Sequence, residues 1–167
     1  MIPSLHLLET DVLLDSVQHH AMIAWYESHP TKEAYRLALN EVQSRMLAMP
    51  QAEMETSHHF IKGVYARTMR VKAGTVVIGK LHKGESLNIM VAGDMTLVTE
   101  DGVKRIKSGH IETSQAGTKR FAIAHQDTTW TQIIKTELTD PDEIKKNFTA
   151  DDYAEIETNG DILLLSV

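Results

Sequence analysis

Cysteine is absent from the 167 residues, which removes disulfides, thiolate metal ligands and cysteine nucleophiles in one step. No apolar run approaches the ~20 residues that a membrane-crossing helix needs. With four prolines and nine glycines there is no low-complexity linker, and no repeat of solenoid type is present. Walker loops, dinucleotide glycine fingerprints and nucleophile elbows are missing as well, which removes the commonest nucleotide-hydrolysing and esterase signatures. Met1 to Glu9 have neither the basic start nor the apolar centre of a secretory signal. A cytoplasmic protein is the expectation.

What is present is an ordinary globular composition, 42% hydrophobic and 24% charged, long enough to bury a core without staples. The net charge of −6 is unevenly spread. Residues 57–134 carry eleven Lys/Arg against six Asp/Glu, and the flanks carry six against seventeen. A basic middle between acidic ends argues against bulk nucleic-acid binding and permits a local anion site.

Three regions follow: a helical segment over 1–52, a β-rich domain over 53–136 and an acidic extension over 137–167. Leu13, Val17, Ala21, Ala24 and Trp25 fall on one helical face after a Thr10 cap. Tyr35, Leu39, Val42, Met46 and Met49 do the same after Thr31, and Pro50 closes the pattern. A helical hairpin is predicted. From about Met54, short strands alternate with turns: Tyr65, Arg67, Met69 and Val71 share one side of the first. Runs at 75–81, 87–91, 95–99, 103–107, 121–124 and 129–134 follow, with Asp101-Gly102 as a hairpin signal. Together they predict a mainly β antiparallel barrel or sandwich. Asp140-Pro141-Asp142-Glu143 starts a helix, and Thr149 to Asp152 resembles a second, shorter start. The Ile162-Leu163-Leu164-Leu165 run is predicted to add a strand or dock on a neighbour.

The β region resembles the cupins in spacing. Gly74 leads a first motif in which the family has His at 80, His at 82, Glu at 86 and Gly at 93; here these are Lys80, His82, Ser86 and Gly93. A second motif, Gln115 to Arg120, keeps Gly117 and has Arg120 where the family has a histidine. The resemblance implies a jelly-roll barrel with an altered ligand set. A narrower resemblance over about 55–148 joins Gly63 to Arg67, Gly79 to His82, Leu87 to Ile89, Ala116 to Arg120 and Asp127 to Thr131. It is to uncharacterised cupin-like proteins of tailed bacteriophages. It implies a phage origin, and with it the host cytoplasm, or alternatively the virion, as location.

Two cations at metal-ligand positions repel a divalent ion, so the usual metal centre and its cofactor role are not expected. Instead Lys80, His82 and Arg120, with Asn88, Thr118 and Lys119 nearby, are expected to line a donor-rich pocket for an anionic small molecule such as a nucleotide. The leading function is a non-catalytic phage protein that binds such a molecule, sequestering it from the host, or that binds a host protein. It is expected to act as a homo-oligomer built through the helices and the tail. The alternatives are a divalent-metal-dependent cupin enzyme of isomerase or oxygenase type, using His82 and His125, and a virion assembly component.

Overall fold

The computed structural model describes residues 17–156. Residues 17–27 are helical (α1); the Thr10 cap and the Ile162 to Leu165 run lie outside the described residues. Helix α2, Lys32–Leu47, starts at Thr31, whose Oγ1 accepts from the Ala34 N–H at 3.1 Å. That contact satisfies one of the donors a helix start leaves open.

Eleven strands follow among the described residues: β1 Glu55–Ile61, β2 Val64–Val71, β3 Val76–Ile78, β4 Leu81–His82, β5 Ser86–Ala92, β6 Asp94–Thr99, β7 Gly102–Lys107, β8 Ile111–Ser114, β9 Phe121–Ala124, β10 Thr128–Lys135 and β11 Thr149–Ala150. Helix α3, Pro141–Phe148, precedes β11. All pairings are antiparallel. One sheet has the order β1-β2-β10-β5-β8, a second β3-β9-β6-β7, and β11 pairs with β4. The expected mainly β jelly roll is therefore present as two sheets that share a core, with helices before and after.

Between the sheets lie Val71, Met90 and Trp130 from the five-stranded sheet and Met95, Leu97, Ile106, Ala122 and Ala124 from the other. The intervening residues of the four-stranded sheet, Val98, Phe121 and Ile123, turn outward and pack against Met22, Tyr35 and Leu39 of α1 and α2. Of the faces read from the sequence, Tyr35, Leu39, Val42 and Met46 of α2 and Trp25 of α1 cover the chain's own sheet. Met49, Val17, Ala21 and Ala24 are exposed, and Met22 and Tyr26 pack in place of the last three. Gly93 joins β5 to β6 at φ +107°, and a Cβ there would sit 2.4 Å from Thr128 Oγ1 and 2.7 Å from its Cα. Only glycine fits both the backbone angle and the approach.

Two sequence expectations need correction. The 75–81 run is interrupted at Gly79 and Lys80 and forms β3 plus the short β4. Thr149 and Ala150 form a strand, since the edge of β4 offers them a ladder partner. Asp152 does cap a turn, its Oδ1 accepting from Glu155 N at 3.2 Å.

Candidate functional site

Strand alternation builds the site. Residues two apart in a strand share a face, so Arg67 must join Tyr65, Met69 and Val71 on the inner side of β2. The register then sets Arg67 opposite Gln132, Gln132 opposite Asn88, and Asn88 opposite Glu112. A row of four polar residues crosses the five-stranded sheet. On one side of it Met90 and Trp130 belong to the apolar core. On the other, Tyr65 faces Ile134 and Ser86 faces Ser114. His82 from β4 and Arg120, just before β9, complete a polar belt between the core and one end of the sandwich.

The belt is hydrogen-bonded across its width. Asn88, 0% exposed, donates from Nδ2 to Ser86 Oγ at 3.1 Å and Ser114 Oγ at 3.0 Å. Gln132 Nε2 donates to Ser86 Oγ at 3.4 Å and lies 3.5 Å from both His82 ring nitrogens. Arg120 donates to Ser114 Oγ and, at 3.4 Å, to Glu112 Oε1. Its guanidinium carbon stands 5.7 Å from the centroid of Trp130, within cation–π range. Glu112 also accepts from Lys104 at 2.7 Å and His110 at 3.2 Å. Burial pushes the Glu112 carboxyl up, but these hydrogen bonds and the Arg120 charge outweigh it and hold the group below its usual range. Arg120 is therefore a neutralised cation.

Arg67 is not. Its Nη2 donates to the neutral Gln132 Oε1 at 3.3 Å. Among the described residues no carboxylate pairs with it, and its Nε is buried without a partner. Burial lowers its pKa, with Tyr65 acting weakly the other way; a guanidinium nonetheless stays charged at neutral pH. His82 adds no further positive charge at neutral pH: burial, then Arg120 and Arg67, push its pKa down to about 4. The belt thus holds one more cation than it has anions.

A cleft of about 250 Å³ opens against Arg67 and Gln132, roofed by α3. That helix forms where Asp140 Oδ1 accepts from Asp142 N at 3.0 Å and Glu143 N at 2.9 Å, with Pro141 in the first turn. Its Ile144 packs on Tyr65 and Ile134. Phe148 lies with its ring centroid 5.1 Å from that of His82. The main chain of Lys83 donates to Phe148 O at 2.8 Å, and the β11–β4 ladder fastens the roof behind it.

Of the six residues read from the sequence as ligand contacts, the belt brings together His82, Asn88 and Arg120. Lys80 points outward, 3.2 Å from Asp151 Oδ1. Lys119 is buried but reaches α2, donating to Asn40 Oδ1 at 3.1 Å and to Gln43 Oε1. Thr118, Lys119 and Arg120 come together in the lining of a second cleft of about 260 Å³ on the β6–β7 side, which meets the belt only at Glu112, Ser114 and Arg120. His125 belongs to another network, Nε2 to Thr96 Oγ1 at 2.7 Å, with Thr96 Oγ1 joined to His19 Nδ1 at 2.8 Å. His82, beside Gln132, and His125, bonded to Thr96, belong to separate networks. Motif spacing does not point to Arg67 or Gln132; the one signal in the sequence is the alternation that puts Arg67 on the side of Tyr65 and Met69.

The metal centre that a cupin-like fold implies does not fit this donor set. One imidazole stands among Ser86, Gln132, Asn88 and two guanidinium groups, and no group of three His, Cys, Asp or Glu suited to a metal occurs among the described residues. A divalent ion there would face the uncompensated Arg67 charge, and the one carboxylate of the belt, Glu112, is already engaged by Arg120, Lys104 and His110.

No helix among the described residues is long and apolar enough to cross a membrane. No family model and no curated protein matches the sequence. Solved structures do resemble it. KdgF from a Halomonas species is 14% identical, with a TM-score of 0.46 over 55% of this chain and 86% of its own. A cupin superfamily protein of Desulfitobacterium hafniense is 11% identical, with a TM-score of 0.44 over 52% and 81%. A cupin domain from Bordetella pertussis is 15% identical, with a TM-score of 0.43 over 53% and 98%. By its own strand order this chain is a mainly β jelly roll of two antiparallel sheets, with two helices laid on one sheet and a third roofing the end of the sandwich.

Proposed function

We propose that the protein is a binding protein for a small anionic molecule, held in the cleft beneath α3 by Arg67 and Gln132. One observation carries the reading: Arg67 is a cation with a buried, unpartnered Nε and no carboxylate among the described residues, and it lines a cleft. An uncompensated buried charge is costly to keep, and an anionic ligand offsets that cost on binding. Gln132 turns its Oε1 to Arg67 and its Nε2 to Ser86, so it fixes the guanidinium against the belt. Arg120, already neutralised by Glu112, adds no net charge, and it does not line this cleft.

The resemblance to tailed-phage proteins supports a phage setting for this binding role, with capture of a host metabolite as its use. Nothing in the belt favours the metal-dependent reading over this one. The test is a thermal-shift panel of small carboxylates and phosphates on the whole chain and on Arg67→Met. At least one anion is expected to stabilise the wild type in a saturable way and to lose that effect in the variant. Identical responses, or none in the wild type, would overturn the proposal.

A further inference from the structure

We infer that the cleft beneath α3 selects a monocarboxylate with an apolar body over a phosphate or a nucleotide. The inference rests on the anion-binding reading above and assigns the ligand's chemical class. Four features of the cleft support it.

The first is charge. Arg67 on the β2 side and Lys145 and Asp142 on α3 are the Arg, Lys, Asp and Glu side chains that line the cleft, which leaves one positive charge to be matched. A monoanion balances it; a phosphate dianion does not. The second is geometry. The planar guanidinium fork suits a planar carboxylate, which takes two parallel N–H donors.

The third is the supply of further donors. Phosphate sites are ordinarily completed by the free amides of a helix start. Here Pro141 has no N–H, and the Asp142 and Glu143 amides are both taken by Asp140 Oδ1, at 3.0 and 2.9 Å. The beginning of α3 is thereby closed to an outside anion. The fourth is the wall. Tyr65, Ile134, Ile144 and Phe148 form one apolar cluster around the cleft. The Tyr65 hydroxyl is tied to His58 Nδ1 at 2.7 Å, which fixes its ring face. At about 250 Å³ the space falls below the roughly 300–1,000 Å³ of drug-sized sites. It suits a hydrocarbon or aromatic body of about six to ten heavy atoms and is too small for a nucleotide.

The experiment is calorimetric titration of the whole chain with benzoate, hexanoate, acetate, inorganic phosphate and adenosine monophosphate, repeated on Arg67→Met and Phe148→Leu. Benzoate or hexanoate is expected to bind with a Kd on the order of 0.1–1 mM. That binding should disappear in Arg67→Met. Phe148→Leu, which keeps the roof filled, should weaken hexanoate or benzoate several-fold and leave acetate unchanged. Arg67-dependent binding of phosphate or the nucleotide without the apolar carboxylates would overturn the inference and leave the anion reading standing. Equal binding of acetate and hexanoate would also overturn it, since the wall would then contribute nothing. No Arg67-dependent binding of any probe would overturn both.

Discussion

Replacing Arg67 with methionine should make the ligand-free protein more stable. Arg67 stands in the inner row of β2 with Gln132 as its hydrogen-bond partner and a buried Nε that has none. Its stem lies between Tyr65 and Met69 on that face, so methionine retains most of the packing while removing the charge. Exchanging a buried charge for an apolar residue of similar volume is neutral to stabilising by about 1–4 kcal/mol. The Gln132 Oε1 left without its donor costs part of that, about 1 kcal/mol. A net gain of about 1–2 kcal/mol remains, or roughly 3–6 °C in Tm for a chain of this size. Urea unfolding of both proteins, with the slope m confirmed unchanged, measures it. A loss of about 2 kcal/mol or more at constant m would refute the reasoning, because Arg67 would then be a structural strut and no ligand would be needed to account for it.

Further expectations rest on other parts of the structure. Folding holds His82 neutral down to about pH 4, while the unfolded chain takes up that proton near the ordinary imidazole value of 6.5. The unfolded state therefore binds more protons between those values, and stability falls as pH drops through that window, by about 3 kcal/mol from this residue. His82→Gln should flatten that part of a urea-midpoint profile, and parallel profiles would contradict it. Glu112→Gln should cost about 2–3 kcal/mol by leaving Arg120 buried beside a neutral partner, read as a lower urea midpoint. Gly93→Ala should cost more than about 3 kcal/mol or prevent folding, since both its φ and its approach to Thr128 exclude a Cβ; a near-wild-type Tm would show the turn to be misplaced. Asp140→Ala should cost about 1 kcal/mol through the lost cap, detected as faster amide exchange in α3 than in β10.

The architecture was largely legible because its signals are local. Thr31 and Asp140 cap the helices they were expected to cap. The alternation of Tyr65, Arg67, Met69 and Val71 survives as the inner face of β2, and the runs at 121–124 and 129–134 became β9 and the body of β10. Strands β1 and β8 were harder to see. The first is exposed along nearly its whole length and the second has four residues, so neither shows strong burial periodicity.

The site was only partly legible, and the reason is register. Asn88 and Arg120 could be read from motif spacing, but Arg67 and Gln132 become neighbours only once β2 and β10 pair, 65 residues apart in sequence. Lys80 and Lys119 share the same stretches of chain as His82 and Arg120. Yet Lys119 turns to α2 because it is adjacent to Arg120 and faces the opposite way, and Lys80 turns to Asp151 from the irregular link between β3 and β4, where strand alternation does not hold.

The most direct test of the binding site is NMR observation of the Arg67 Nε–Hε resonance during titration with the carboxylate that binds best. It is identified by its absence in Arg67→Met. The account predicts a large, saturable downfield shift of this resonance at the calorimetric Kd, with the Arg120 resonance nearly still. A titration that saturates while Arg67 stays unmoved would contradict it.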